Sequence, residues 1–359
     1  MESAVFPLKV IEKDKFIGIE GLDLNPDVLA YIQNFLNHGY GQTSVLKTTT
    51  RFNIDALSNE PVLKLVNLKR ANDLRQFNKF FETVNANLAS RGYYIGCFES
   101  KEQRKKRIFK KMSLLFAYPF YVIDFIWKRV FPKISLTQKL YFALTKGHNR
   151  VLPVPEVLGR LISCGFEIND YREINNLTYF TIQKISKPAF DNEPTYGPLI
   201  TLNRVGKGGK WVKVYKIRTM HSFAEYLQKF VYDQNKLQDG GKFKDDFRIT
   251  SWGKFLRKFW LDELPMLINW LKGDLKLVGV RPLSQHYFEL YPKNFRERRQ
   301  KYKPGLVPPF YVDLPDTLDE ILASEKKYLM QYDKHPFLTD LKYFFKSFYN
   351  IIVKKARSK

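Results

Sequence analysis

Residues 245–282 read DDFRITSWGKFLRKFWLDELPMLINWLKGDLKLVGVRP. Within this stretch Leu264, Leu267, Ile268 and Leu271 recur at helical spacing until Gly273 stops the pattern. Asp262 falls where an N-cap belongs, and Pro265 falls in the first turn, where its missing donor costs little. The spacing therefore predicts a helix opened by Asp262 and Glu263. Leu275 to Val280 then reads as a buried strand delivering Arg281 and Pro282 at its C-terminal end, where α/β architectures often place ligand contacts. Pro282 reads equally well as a strand terminator. Helix followed by buried strand sets the expected fold class as α/β.

Taken alone, Asp262 caps the helix and Glu263 complements its dipole. Their neighbourhood adds a chemical reading. Free N–H groups and positive partial charge at a helix start hold phosphate oxygens and keep a carboxylate ionised. Arg248, Arg257 and Arg281 are close in sequence. Two acids among arginines form structural ion pairs, or they supply a nucleophile or metal ligand together with cations for transfer of a diphosphate-linked group.

Just upstream, Gly197 to Arg204 and Trp211 to Ile217 read as strands around Gly206 to Lys210, most simply a hairpin turn. The GxxxxGK[ST] spacing of a phosphate-binding loop is absent, so those lysines read as solvated. Downstream, Asp340 to Lys355 places Leu341, Phe344, Phe345, Phe348, Ile351 and Ile352 at helical spacing among lysines, as in an interfacial helix or one packed on its domain.

Further upstream the α/β pattern continues. Pro61 to Leu68 and Tyr93 to Phe98 read as strands around a helix over 72–87; a second helix is expected over Val154 to Cys164, and two extended runs around Asn175 and Asn176 close the region. An insert interrupts it, with RKKRIFKK at 104–111, a nearly unbroken apolar run from Met112 to Trp127, then Lys128 and Arg129. As a helix the run reaches roughly 25 Å, short of the ~30 Å hydrocarbon core, and it contains Pro119 and Asp124. Basic clusters at both ends favour a segment bent at Pro119 that enters and leaves on one anionic face, with a buried core helix as the alternative. Membrane attachment is expected to rest mainly on residues 108–131, with a smaller contribution from the C-terminal helix.

Composition fits that picture. Sixty Lys plus Arg against 36 Asp plus Glu give a formal +24, which implies an anionic neighbour: nucleic acid, a membrane leaflet or a phosphorylated substrate. Thirty Phe and 21 Tyr beside those cations suit a membrane interface as well as a base-stacking surface. No nucleic-acid-binding signature is present, so nucleic acid is not an expected partner. Cys97 and Cys164 are the only cysteines, too few for a disulfide scaffold or a Cys/His zinc site, and the start lacks the pattern of a secretory signal.

The motifs YKIRTM at 215–220, DDFRIT, GKFLRK, LDELP, LKGDLKLVGVRP and KPG at 303–305 together resemble the bacterial sugar transferase family, the monotopic phosphoglycosyl transferases that act on polyprenyl phosphate. The resemblance implies that Asp262 attacks the β-phosphate of a UDP-sugar, expels UMP and holds the sugar phosphate until polyprenyl (undecaprenyl) phosphate takes it. Magnesium is the implied cofactor, held by Asp262 and Glu263; Glu263 binds it or assists the acceptor. Arg257 meets a phosphate, Arg281 helps to hold the nucleotide-sugar end, and Arg248 and Pro282 are further substrate-binding residues. Implied as well are attachment to anionic lipids at the cytoplasmic face of a bacterial inner membrane and initiation of exopolysaccharide, O-antigen or glycoprotein glycan assembly; self-association is left open.

Residues 53–187 resemble the second half of a class I methyltransferase-like Rossmann fold, in NLKRANDLRQF, RGYYIGCFES and GFEINDYREINNLTYFTIQK, without an evident glycine-rich cofactor turn. The expected organisation is an extension (1–52), this partial Rossmann-like α/β domain with its membrane-associated insert (108–131), an α+β transferase domain (188–312) and a C-terminal amphipathic, interfacial helical region (313–359). The competing readings are an S-adenosylmethionine-dependent methyltransferase and a non-catalytic basic protein that binds membrane or nucleic acid.

Overall fold

A computed structural model describes residues 24–36, 43–57, 61–190, 196–235 and 246–354. Expectations touching 1–23, Asp245 and Lys355 lie outside those residues. The chain divides into two units: residues 1–196 with 221–228, and residues 197–220 with 229–359.

The first unit runs α1 (Pro26–Leu36), β1 (Thr43–Leu46), a short α2 (Phe52–Asp55), β2 (Val62–Arg70), α3 (Phe77–Asn87), β3 (Leu88–Phe98), α4 (Lys101–Lys111), α5 (Leu114–Phe125), α6 (Ser135–Thr145), α7 (Val154–Ser163), β4 (Phe166–Ile174) and β5 (Leu177–Lys184). Its five-stranded sheet has the order β1-β2-β3-β5-β4. The first three strands are parallel, and the β4–β5 hairpin adds antiparallel to β3. That hairpin turns at Asn175 and Asn176, both at positive φ, a conformation Asn tolerates better than most residues. Phe81 sits at the centre of one face, edge-on to Phe80, Tyr94 and Phe166.

The apolar insert is helical in two pieces. The chain breaks at Met112 and Ser113, both extended, and α5 then continues through Pro119. Pro119 lies inside this helix, where its ring removes the bond to the carbonyl four residues back and crowds that carbonyl. The widening comes later, in a π turn over Ile126–Val130. Asp124 is buried and paired with Arg104 at 2.6 Å and Lys128 at 2.8 Å, which explains an acid inside an apolar run. Leu114, Leu115, Phe116 and Ile123 remain exposed on α5, as do Leu136, Leu140 and Leu144 on α6. No helix among the described residues is long and apolar enough to cross a membrane.

The second unit contains the β6 (Leu199–Val205) and β7 (Trp211–Ile217) hairpin, α8 (Gln228–Asn235), α9 (Ser251–Lys258), α10 (Met266–Leu271), β8 (Lys276–Val278), α11 (Gln285–Glu289), α12 (Lys293–Arg299), β9 (Gly305–Val307), α13 (Phe310–Asp313), α14 (Leu318–Lys334) and α15 (Pro336–Ile352). β8 and β9 pair in parallel. A Cβ on Gly305 would come within 2.1 Å of the Gly279 nitrogen, so glycine is needed where the two strands meet. Val214, Met266, Val278, Leu306, Tyr311 and Tyr328 pack into the core of this unit.

Two helices here turn many of their apolar side chains outward. Leu264, just before α10, and Leu267, Ile268 and Leu271 on it are exposed, while Met266 and Asn269 are buried. The Asn269 amide donates to the Lys213 carbonyl at 2.7 Å and its oxygen accepts from the Tyr215 N–H at 2.9 Å, tying α10 to β7. On α15, Thr339, Ser347 and Asn350 are buried, whereas Phe337, Leu338, Phe345 and Ile352 are more than 60% exposed. Asn350 donates to the Tyr311 and Val312 carbonyls. α15 still places Tyr343 in the core, with Phe344 and Ile351 packed against it, and the apolar side chains it leaves exposed over four turns suit a surface that something covers.

Candidate active site

Asp262 does not cap a helix. It is the middle residue of a 3-10 turn, Leu261–Glu263, entered through Trp260 at φ 61°, and no side chain caps that turn. Helix α10 starts only at Met266, with Pro265 immediately before it. The expected lowering of the Asp262 pKa at a helix start is therefore corrected: it is raised above the ordinary value, first by burial and then by the adjacent Glu263. Lys216 and Arg257 act in the opposite direction. The group is a carboxylate made more basic by its surroundings, held beside cations that stabilise its charged form.

Lys216 is the residue that sequence reasoning missed. From β7 it reaches Glu263 at 2.6 Å, with both side chains mostly shielded from solvent. The motif YKIRTM contained it, but nothing in the spacing joined it to an acid 47 positions later. Arg257, on α9, donates from Nε to the Thr219 hydroxyl at 3.0 Å. Its pKa is drawn down by the protein packed around it and restored chiefly by Asp262.

Thr219 is itself fixed by close packing. Its carbonyl accepts from the Thr250 N–H at 2.9 Å and hydroxyl at 3.1 Å, and the Thr250 hydroxyl caps α9 by accepting from the Gly253 N–H at 2.8 Å. A Cβ on Gly253 would lie 1.9 Å from that same carbonyl. Gly253→Ala must push Thr219 away; we expect a loss of about 3 kcal/mol in stability by denaturant titration. Unchanged stability would show that this contact yields freely.

Arg248 is buried, and Asp246 holds it through both carboxylate oxygens at 2.8 and 2.7 Å. This pairing braces the segment before α9. Arg281 is half-buried at the end of the β8 segment, and its carbonyl accepts from Arg299, which is locked to Glu325 at 2.8 Å. Pro282 is buried. Burial raises the Tyr311 pKa, Glu263 and Asp262 raise it further, and Arg281 opposes them, so this one phenol senses both acids and the arginine.

Among the described residues no group of three or more His, Cys, Asp or Glu side chains is placed to hold a metal ion. Adjacent Asp262 and Glu263 nevertheless suit magnesium, which keeps water and substrate phosphate in most of its shell and takes one or two carboxylates from the protein. The mutual repulsion that raises Asp262 is what a dication would relieve.

The bacterial sugar transferase family model matches residues 190–354. That stretch is similar to that family. The chain is 38% identical over 142 residues to the galactosyl transferase CpsE of Streptococcus agalactiae serotype III (strain NEM316), covering 38% of this chain and 31% of that protein. It is 36% identical over 115 residues to the UDP-N-acetylgalactosamine-undecaprenyl-phosphate N-acetylgalactosaminephosphotransferase of Aeromonas hydrophila, covering 31% of this chain and 24% of that protein. The chain thus spans about a quarter to a third of the length of these curated relatives. Among solved structures, an O-methyltransferase family protein from Burkholderia thailandensis aligns with 38% of this chain and 34% of its own at 15% identity, with a TM-score of 0.22, too slight a likeness to argue from.

Proposed function

We propose that the protein transfers a sugar 1-phosphate from a UDP-sugar to membrane polyprenyl phosphate, as the first step in assembling a surface polysaccharide or protein-linked glycan. The observation that carries this reading is the basic, partly buried Asp262 beside Glu263, with Lys216 and Arg257 opposing its protonation, inside a region similar to the sugar transferase family. In the first half-reaction an Asp262 carboxylate oxygen bonds to the β-phosphorus and the bond to UMP breaks, so UMP leaves with the electron pair. In the second, an oxygen of polyprenyl phosphate attacks the same phosphorus and Asp262 is released. Lys216 holds Glu263 in place, and Arg257 faces the negative charge that shifts toward UMP. Bound magnesium, held by Asp262 and Glu263, would supply further positive charge for the phosphate oxygens. Incubation with polyprenyl phosphate and a panel of UDP-sugars should release UMP with one of them; release of UDP, or of nothing across the panel, would refute the reading.

The outward apolar faces support a membrane location. We take α5 and α6 in the first unit, and α10 and α15 in the second, as surfaces that enter the interfacial layer of the cytoplasmic leaflet without crossing it, with lysines meeting anionic headgroups. The α/β first unit serves as the scaffold that presents its apolar helices. Phe345→Glu with Ile352→Glu on α15 should leave folding intact, because both side chains are already exposed, and weaken binding to anionic vesicles by about ten-fold or more. Leu115→Glu with Ile123→Glu on α5 should weaken it further. Vesicle flotation that is unchanged by both pairs would remove these faces from the account.

A further inference from the structure

The first unit carries an open-mouthed cavity of about 500 Å³, a size typical of small-molecule sites. Every residue lining it belongs to that unit, and neither Asp262 nor Glu263 is among them. Its wall carries seven Lys or Arg side chains against two acids. One of the acids, the buried Glu156, is already saturated: Arg129 approaches at 2.5 Å, Lys133 at 2.8 Å and Arg160 at 2.8 Å. Three basic side chains crowd this one carboxylate, more than it can neutralise. Arg160 is further fixed between aromatic rings, 5.1 Å from Tyr196 and 4.7 Å from Phe223. Arg150 adds another charge, and its Nε is buried without a hydrogen-bond partner.

Such crowding has a measurable cost. Burial, then Arg129, pulls the Lys133 amine down to about 7, and burial and Arg160 bring Arg150 down to about 10. His221 is pushed to about 3 by burial and by Arg129. A wall of this kind is destabilising when empty and favourable when an anion enters, as buried like charges without counter-charge otherwise are not retained.

We propose that this cavity binds a phosphate-bearing ligand, a mono- or diphosphate ester whose head sits among Arg129, Lys133 and Arg150. Guanidinium forks suit phosphate oxygens, and Phe77 and Phe142 offer apolar wall for the rest of the molecule. Lys128, Arg129 and Lys133 follow the exposed apolar helix α5, so the same head chemistry fits a lipid headgroup or a soluble ester.

Pyridoxal 5′-phosphate tests the site directly in the full-length protein. Its phosphate seeks the cavity, and its aldehyde condenses with a neutral amine, after which borohydride reduction fixes the adduct for peptide mapping. Lys133 should be modified faster than the surface lysines, and inorganic pyrophosphate, uridine diphosphate or dihexanoylphosphatidic acid should slow that modification by about ten-fold. Protection by the soluble probes identifies a soluble ester; protection by the lipid alone identifies a headgroup. Arg150→Gln should weaken the protection, and if that variant fails to fold, Arg75→Gln at the same wall replaces it. Lys133 reacting no faster than surface lysines, modification unaffected by all three probes, or protection unchanged in the folded variant would overturn the proposal. None of these readouts depends on sugar-phosphate transfer.

Discussion

Asp262→Asn is expected to lower turnover by about 10⁴-fold or more, the scale seen when a nucleophile is removed. The amide keeps the shape of the side chain and cannot form the acyl phosphate. Stability should not follow activity. The folded carboxyl retains its proton to a higher pH than in the unfolded chain, because burial and Glu263 raise its pKa. Folding is therefore increasingly penalised as the pH rises from the unfolded value through the raised one, and the penalty is complete above it. Asn removes that titration, so the variant should melt at the wild-type temperature or higher at neutral pH. A melt well below wild type would mean that Asp262 supports the 3-10 turn, and the loss of activity would then have a structural cause.

Lys216→Met should have the next largest effect, about 10²-fold in kcat/KM. It removes the partner held 2.6 Å from Glu263 while keeping the aliphatic stem. Its pH profile separates electrostatics from simple disruption. Lys216 lowers the Asp262 pKa and Glu263 raises it, so the acid limb of the kcat/KM profile should move to higher pH in Lys216→Met and to lower pH in Glu263→Gln. Shifts in the same direction, or none, would show that the limb does not report Asp262.

Much of the architecture was legible because strands and turns carry local signals. The β4–β5 hairpin followed from two extended runs and an Asn-Asn turn, and the β6–β7 hairpin from glycines between strands. The acid pair was legible as a place and misread as a conformation. Trp260 adopts the left-handed region, which turns the chain into a 3-10 step before α10, and no pattern of apolar residues encodes that. Lys216 escaped because its partner comes from another element. Arg248 was legible only as a cation near the acid pair; the structure adds that its own neighbour Asp246 accepts from its Nε and Nη2. Periodicity found α15 but could not say which face was inside; only packing reveals that Ser347 and Asn350 are buried while Phe345 and Ile352 are exposed. The cationic cavity was invisible for a related reason, since its wall is drawn from positions between Arg75 and Tyr196.

The central claim is that Asp262 carries the sugar phosphate, and mass spectrometry of the protein after incubation with UDP-sugar alone tests it most directly. Without an acceptor the first half-reaction stops at the adduct. The account predicts a mass increase of one sugar phosphate on the peptide containing Asp262, released when polyprenyl phosphate is added and absent from Asp262→Asn. An adduct on another residue, or near wild-type turnover in Asp262→Asn, would contradict it.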